Sequence, residues 1–205
     1  MKARDEILGR LKAAQRETEM PPPWQSRRQF TDLVERFEQS LTAVKGECFH
    51  VESLAAAHEQ TNQLLRHLEA EKVVLNDERP LTNLPRLPHI AYHLVRQEDE
   101  TLRDFCAAAD VGLSSADAAL AETGTIILTS GPGKSRLATL LPPVHIALVP
   151  TAVLTTDLFT WTRQFKRELP ANLNFISGPS KTGDIEQTLT IGVHGPKRFI
   201  VFLYD

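Results

Sequence analysis

The chain has 205 residues, enough for one sizeable domain with its own buried core. At 41% hydrophobic and 24% charged residues it has the make-up of an ordinary globular protein, neither disordered nor fibrous. A net charge of −3 gives no basic surface for nucleic acid, and no segment approaches the roughly 18 apolar residues of a membrane span.

Residues 2–18 place Ile7, Leu8, Leu11 and Ala14 on one helical face with charges opposite. Pro21-Pro22-Pro23 ends that pattern as a stiff spacer, so residues 1–24 read as an N-terminal amphipathic arm, packed on its own domain or on a partner subunit, and residues 25–205 as the main domain. Phe30, Leu33, Val34, Phe37, Leu41 and Val44 recur at helical spacing, and Gly46 marks a stop. Cys48–Val51 reads as a strand. Ser53 caps a helix carrying Leu54, Ala57, Leu64, Leu65 and Leu68. Lys72–Leu75 reads as a strand, the proline-bearing stretch 76–89 as a loop, Ile90–Val95 as a strand and 98–109 as a helix.

Beyond Asp110 the apolar runs Thr125–Thr129, Val144–Val149, Leu173–Ile176 and Phe199–Leu203 read as strands. Leu154, Leu158, Trp161, Phe165 and Leu169 mark a helix between them. The alternation of helices and strands predicts an α/β fold: an open, mostly parallel sheet with helices on both faces.

Common catalytic motifs are missing. Gly133-Lys134-Ser135 looks like the tail of a P-loop, but Leu128 stands where the first glycine is required. Gly131-Pro132-Gly133 lacks the third glycine of a dinucleotide fingerprint, with Arg136 in its place. No His-Glu-x-x-His and no Gly-x-Ser-x-Gly occurs. Of the seven histidines, His50, His58, His67, His89 and His93 lack ligand-like spacing; His145 or His194 with Asp184 or Glu186 is the remaining combination, and no metal is expected. Cys48 and Cys106 are the only cysteines and lie in apolar patterns, as reduced, buried thiols do. The charged start, without a signal-peptide core, makes the cytoplasm the expected compartment.

The densest cluster of special residues lies in 176–196. Gly178 and Gly183 permit positive φ and close backbone approach. Ser180 and Thr182 are placed to cap a helix beginning near Asp184, whose free amides would suit a small anion. Asp184 and Glu186, two apart, would not share a helical face. His194 sits between glycines in Gly192-Val-His-Gly-Pro196, while His145 lies within an apolar strand pattern that fits a structural imidazole as well as a reactive one. Arg136 and Lys181 offer positive charge, for ligand contact or for solubility.

Four co-ordered blocks carry a family resemblance: Ala121-Glu-Thr-Gly-Thr125, Leu141-Pro-Pro-Val-His-Ile146, Ser177-Gly-Pro-Ser-Lys-Thr-Gly-Asp-Ile-Glu186 and Gly192-Val-His-Gly-Pro196. They resemble the signature blocks of the lactate-utilisation (LUD) domain, in the short, cluster-free form of the lactate utilisation protein C family. The resemblance covers roughly residues 25–205 and is strongest over 110–196.

This resemblance implies a fold similar to that of ribose-5-phosphate isomerase and the CoA transferases. It implies a cytoplasmic role in oxidation of L-lactate to pyruvate, with partner proteins that carry iron–sulfur clusters. The chain itself would hold no cofactor, having no cysteine motif. The expected ligand is a small carboxylate or phosphorylated molecule. Thr123, Gly124, Thr125, Arg136, His145, Ser177, Gly178, Pro179, Ser180, Thr182, Asp184, Glu186 and Gly195 are the residues expected to bind it, with Glu122 and His194 as candidate catalytic groups. In CoA transferases of similar fold a glutamate at a comparable Glu-x-Gly turn attacks the acyl group, which would make Glu122 a nucleophile; it serves equally as a carboxylate that holds the turn. Three roles stay open: a subunit of a lactate-oxidising system, a stand-alone acyl transferase or ligase, and a non-catalytic assembly protein that docks through its arm.

Overall fold

A computed structural model describes residues 2–15, 21, 24–96, 100–165, 168–183, 189–192 and 194–205. In chain order its elements are α1 (Lys2–Ala14), α2 (Leu33–Ala43), β1 (Glu47–Val51), α3 (Leu54–His67), β2 (Lys72–Leu75), α4 (Arg79–Thr82), β3 (Ala91–Leu94) and α5 (Leu102–Ala108). Then follow β4 (Val111–Ser114), β5 (Ala118–Leu120), β6 (Thr125–Thr129), α6 (Leu137–Leu140), β7 (Val144–Pro150), β8 (Leu154–Thr155), α7 (Leu158–Gln164), β9 (Leu173–Ile176), β10 (Lys181–Gly183), β11 (Leu189–Ile191) and β12 (Arg198–Tyr204).

Six strands form a wholly parallel sheet in the order β1-β12-β7-β4-β2-β3. Their side chains alternate between faces, as a pleated strand requires. Val73, Leu75, Val111, Leu113, Ile146, Leu148, Ile200 and Phe202 pack with Ala57 and Leu65 of α3 and Leu81 of α4. On the other face Ala147, Val149, Phe199, Val201 and Leu203 meet Phe37 and Leu41 of α2, while Val74 meets α5 and α6. Phe37 and Leu41 are fully buried. Each holds α2 to the sheet by about 1.5–3 kcal/mol relative to exposure.

Local signals place the helices. Asp32 caps α2 by accepting from the Val34 and Glu35 amides at 2.8 and 3.1 Å, which starts the helix at Leu33 rather than at Phe30. Ser53 caps α3 through the Ala56 amide. The described arm residues 3–14 are exposed, including Ile7, Leu8 and Leu11.

The structure corrects the sequence reading in three places. A second sheet, β8-β5-β6-β9, packs over the α2 face of the first, so Thr125–Thr129 and Leu173–Ile176 do not join the parallel sheet. Leu154 belongs to β8, and the helix that follows is confined to Leu158–Gln164 because Asp157 caps it through the Thr160 amide. Thr182 is a strand residue, not a helix cap: β10 pairs antiparallel with β11 in a two-stranded ribbon. Asp184 and Glu186 lie outside the described residues.

Neither cysteine forms a disulfide; Cys106 is buried, and burial pushes the Cys48 thiol up to about 12. A thiol held protonated is a poor nucleophile. Native protein at pH 8 should therefore resist aromatic disulfide reagents, with both thiols reacting once it is unfolded. Rapid labelling of Cys48 in the native state would contradict this environment.

Candidate functional site

The amino ends of β7 and β12 open into a cleft of about 230 Å³. It gathers six of the residues singled out from sequence: His145, Ser177, Gly178, Ser180, His194 and Gly195. Thr139 and Leu140 of α6, Ile176 and Phe199 complete much of its wall. Among the described residues lining it there is no lysine, arginine or carboxylate; the polar groups are three hydroxyls and two imidazoles.

His145 anchors the cleft. It is fully buried, with Nε2 2.8 Å from the Ser114 hydroxyl and its ring 5.1 Å from that of Phe199. Its Nδ1 is buried without a protein partner, which leaves one polar atom unsatisfied at the site. Burial pulls its pKa down from 6.5 to about 3, so the ring is neutral at physiological pH.

The neutral ring makes stability depend on pH. Between pH 6.5 and about 3 the unfolded chain holds a proton at His145 that the folded chain does not. Stability therefore falls as pH is lowered through that interval, by up to about 1.4 kcal/mol per unit, and is unaffected by this group above it. Urea unfolding at pH 7 and pH 5 should show the loss, and His145→Gln should flatten it. Equal slopes in both proteins would contradict a neutral buried imidazole.

The Ser177 hydroxyl lies 2.7 Å from Thr125 Oγ1, which lies 2.6 Å from Thr123 Oγ1. This hydroxyl row runs from the cleft to the turn that holds Glu122. The Ser180 amide donates to the Pro196 carbonyl and its own carbonyl accepts from Gly192, which ties the two glycine-bearing loops together.

The other sequence candidates lie elsewhere. The Glu122 carboxylate is 2.7 Å from the Arg28 guanidinium, and its main-chain carbonyl accepts from Ser40 Oγ and Arg36. Gly124, at φ +62, packs its backbone on Leu41. Arg136 is exposed at the start of α6, and Lys181 donates to the Val44 carbonyl. Pro179 is buried, Thr182 half-buried.

Sequence reasoning missed a charged cluster at the opposite end of the sheet. β2 leads outward to β3, whereas its neighbour β4 leads back to β7 and β12. The carboxyl ends of β2 and β4 therefore flank a topological switch point, where open α/β sheets bind ligands. There Lys134 Nζ lies 2.9 Å from Asp117 and 3.1 Å from Glu78. Glu78 also accepts from the Ser115 amide, and Asp117 from the Thr129 amide and hydroxyl. Burial alone would raise the Asp117 carboxyl, but hydrogen bonds from Thr129 and Lys134 bring it below its ordinary value. Burial would lower Lys134, yet its two carboxylate partners hold it above its ordinary value. The signal available in the sequence was Gly131-Pro-Gly-Lys-Ser135, a lysine in a tight turn after a buried strand. Among the described residues, no group of three or more His, Cys, Asp or Glu is placed to hold a metal.

The model of the LUD domain matches residues 34–204. The chain is 33% identical to "Lactate utilization protein C" of an Exiguobacterium species, across 95% of this chain and 93% of that one. A protein of the same name from Macrococcus caseolyticus is 28% identical across 90% and 86% of the two chains. Among solved structures, a DUF162 family protein from Deinococcus radiodurans superposes with a TM-score of 0.58 over 84% of this chain and 96% of that one. At 20% identity that likeness speaks to fold alone.

Proposed function

The chain belongs to the LUD domain family, and on that basis we propose that it serves in lactate utilisation, as a component of a system that oxidises L-lactate to pyruvate. The support is the end-to-end match with a relative named for lactate utilisation. In this reading the His145 cleft takes a small carboxylate. The Ser177 and Ser180 hydroxyls and an N–H of the exposed His194 ring donate to its oxygens, and the unpartnered His145 Nδ1 meets a polar group of the ligand. In the same reading electrons leave through iron–sulfur partner proteins, as the family resemblance implies; this chain's own two cysteines are far apart in sequence and form no local thiolate motif for a cluster. In the same reading the work is done in the cytoplasm, as the family resemblance implies. Among the described residues no helix is long and apolar enough to cross a membrane.

Deletion of the gene, in a host without a second copy, should abolish growth on L-lactate as sole carbon source while leaving growth on glucose intact. Add-back of the wild-type gene should restore it. Normal growth of the deletion strain on L-lactate would end this reading.

An assembly role has one observation in its favour: the apolar face of α1 is exposed, with Ile7 and Leu11 59% and 63% accessible. If α1 docks on a partner, removing residues 1–23 abolishes co-purification with the iron–sulfur proteins; unchanged co-purification would sink the docking role.

A further inference from the structure

A second cavity, of about 350 Å³, lies at the other end of the sheet from the His145 cleft. It is bordered by Asp117, beyond the carboxyl end of β4, and by the segment that follows β7. This is the end of a parallel sheet at which open α/β proteins bind small molecules. Its volume falls in the lower part of the range of small-molecule sites.

We propose that this cavity binds a neutral, planar nitrogen heteroaromatic ring bearing an N–H donor, such as the base of a purine nucleoside or nicotinamide. Trp161 and Phe165 line it, on and just beyond α7, with ring centroids 5.0 Å apart, and Leu154 adds apolar surface. Phe175 packs edge-on against Trp161 at 89°, which fixes the indole. Such walls favour a flat ring. The polar groups set its edge. Thr155 is 6% exposed, lines the cavity, and leaves its Oγ1 buried without a protein partner. A buried hydroxyl without a partner is costly, and a ring nitrogen accepting from it would remove that cost. Asp117 Oδ1 accepts from Lys134, and a carboxylate oxygen has a further lone pair for a ligand N–H. The cluster behind it carries two carboxylates against one ammonium, which disfavours an anionic ligand here.

The test is calorimetric titration of the purified full chain with adenosine and with nicotinamide. Binding of either supports the site, and which one binds tells a purine source from a pyridine source. Thr155→Val should weaken that binding about tenfold. The same variant should melt no lower than wild type, because it removes a hydroxyl with no protein partner. Should Thr155→Val fail to fold, the wild-type protein labelled with ¹⁵N gives the answer: the Trp161 indole N–H resonance must shift on addition of the ligand. Absence of binding by both probes, undiminished binding by folded Thr155→Val, or an unmoved Trp161 resonance would overturn the proposal.

Discussion

Replacing Gly112 by alanine should cost about 3 kcal/mol or more of folding stability, a large effect for the addition of one methyl group. Gly112 lies mid-strand in β4, buried, where a Cβ would overlap the Ala138 carbonyl oxygen and stand 3.1 Å from Pro142. The obstacle is backbone, so no side-chain rotation relieves it. To admit the methyl, α6 must lift from the sheet, and α6 carries Thr139 and Leu140 into the His145 cleft. Denaturant unfolding would measure the loss. A change below about 1 kcal/mol would mean that α6 shifts freely, and that the cleft wall is not fixed by close packing.

Lys134→Met should destabilise by roughly 2–4 kcal/mol, somewhat less than for a fully buried ion pair because Lys134 retains some exposure. Without the ammonium, Glu78 and Asp117 face a buried site with no cation between them; their side chains are only 7% and 19% exposed. The turn 131–135 would also lose its main tie to the switch point, keeping the Asn76–Ser135 and Asp77–Gly133 hydrogen bonds. Adding Glu78→Gln should restore part of the loss, because it removes one of the two stranded charges. A Lys134→Met protein as stable as wild type would show that water, not the lysine, solvates these carboxylates.

The legible parts of the fold were those with dense local signals. Val144–Val149 and Phe199–Leu203 are unbroken apolar runs save for His145, and both are central strands. β4 was missed because Val-Gly-Leu-Ser offers two apolar residues and a glycine, a pattern set by the close approach of α6 rather than by strand propensity. β5, Ala-Ala-Leu, carries no strand signal of its own and is held by β6 and β8. That β6 pairs with β9 rather than joining the parallel sheet is a long-range choice that local pattern does not encode.

The same division holds for the sites. Ser177, Ser180 and His194 stood out because glycines and prolines surround them, and the fold does bring them to one cleft with His145. Glu78, Asp117 and Lys134 come from three separate loops, and only the switch in strand order brings them together. Thr155 has no motif at all; its unpartnered hydroxyl is visible only in three dimensions.

Whether the His145 cleft is where this protein works can be decided by complementing the deletion strain on L-lactate with a Ser177→Ala, His194→Ala double variant. Both are exposed residues of the cleft, so the protein should fold and accumulate as wild type does. If the cleft binds the lactate-derived ligand, the variant at wild-type abundance leaves the strain unable to grow, or growing far more slowly, while the wild-type gene restores it. Full growth with the double variant would contradict the cleft as the working surface of this protein.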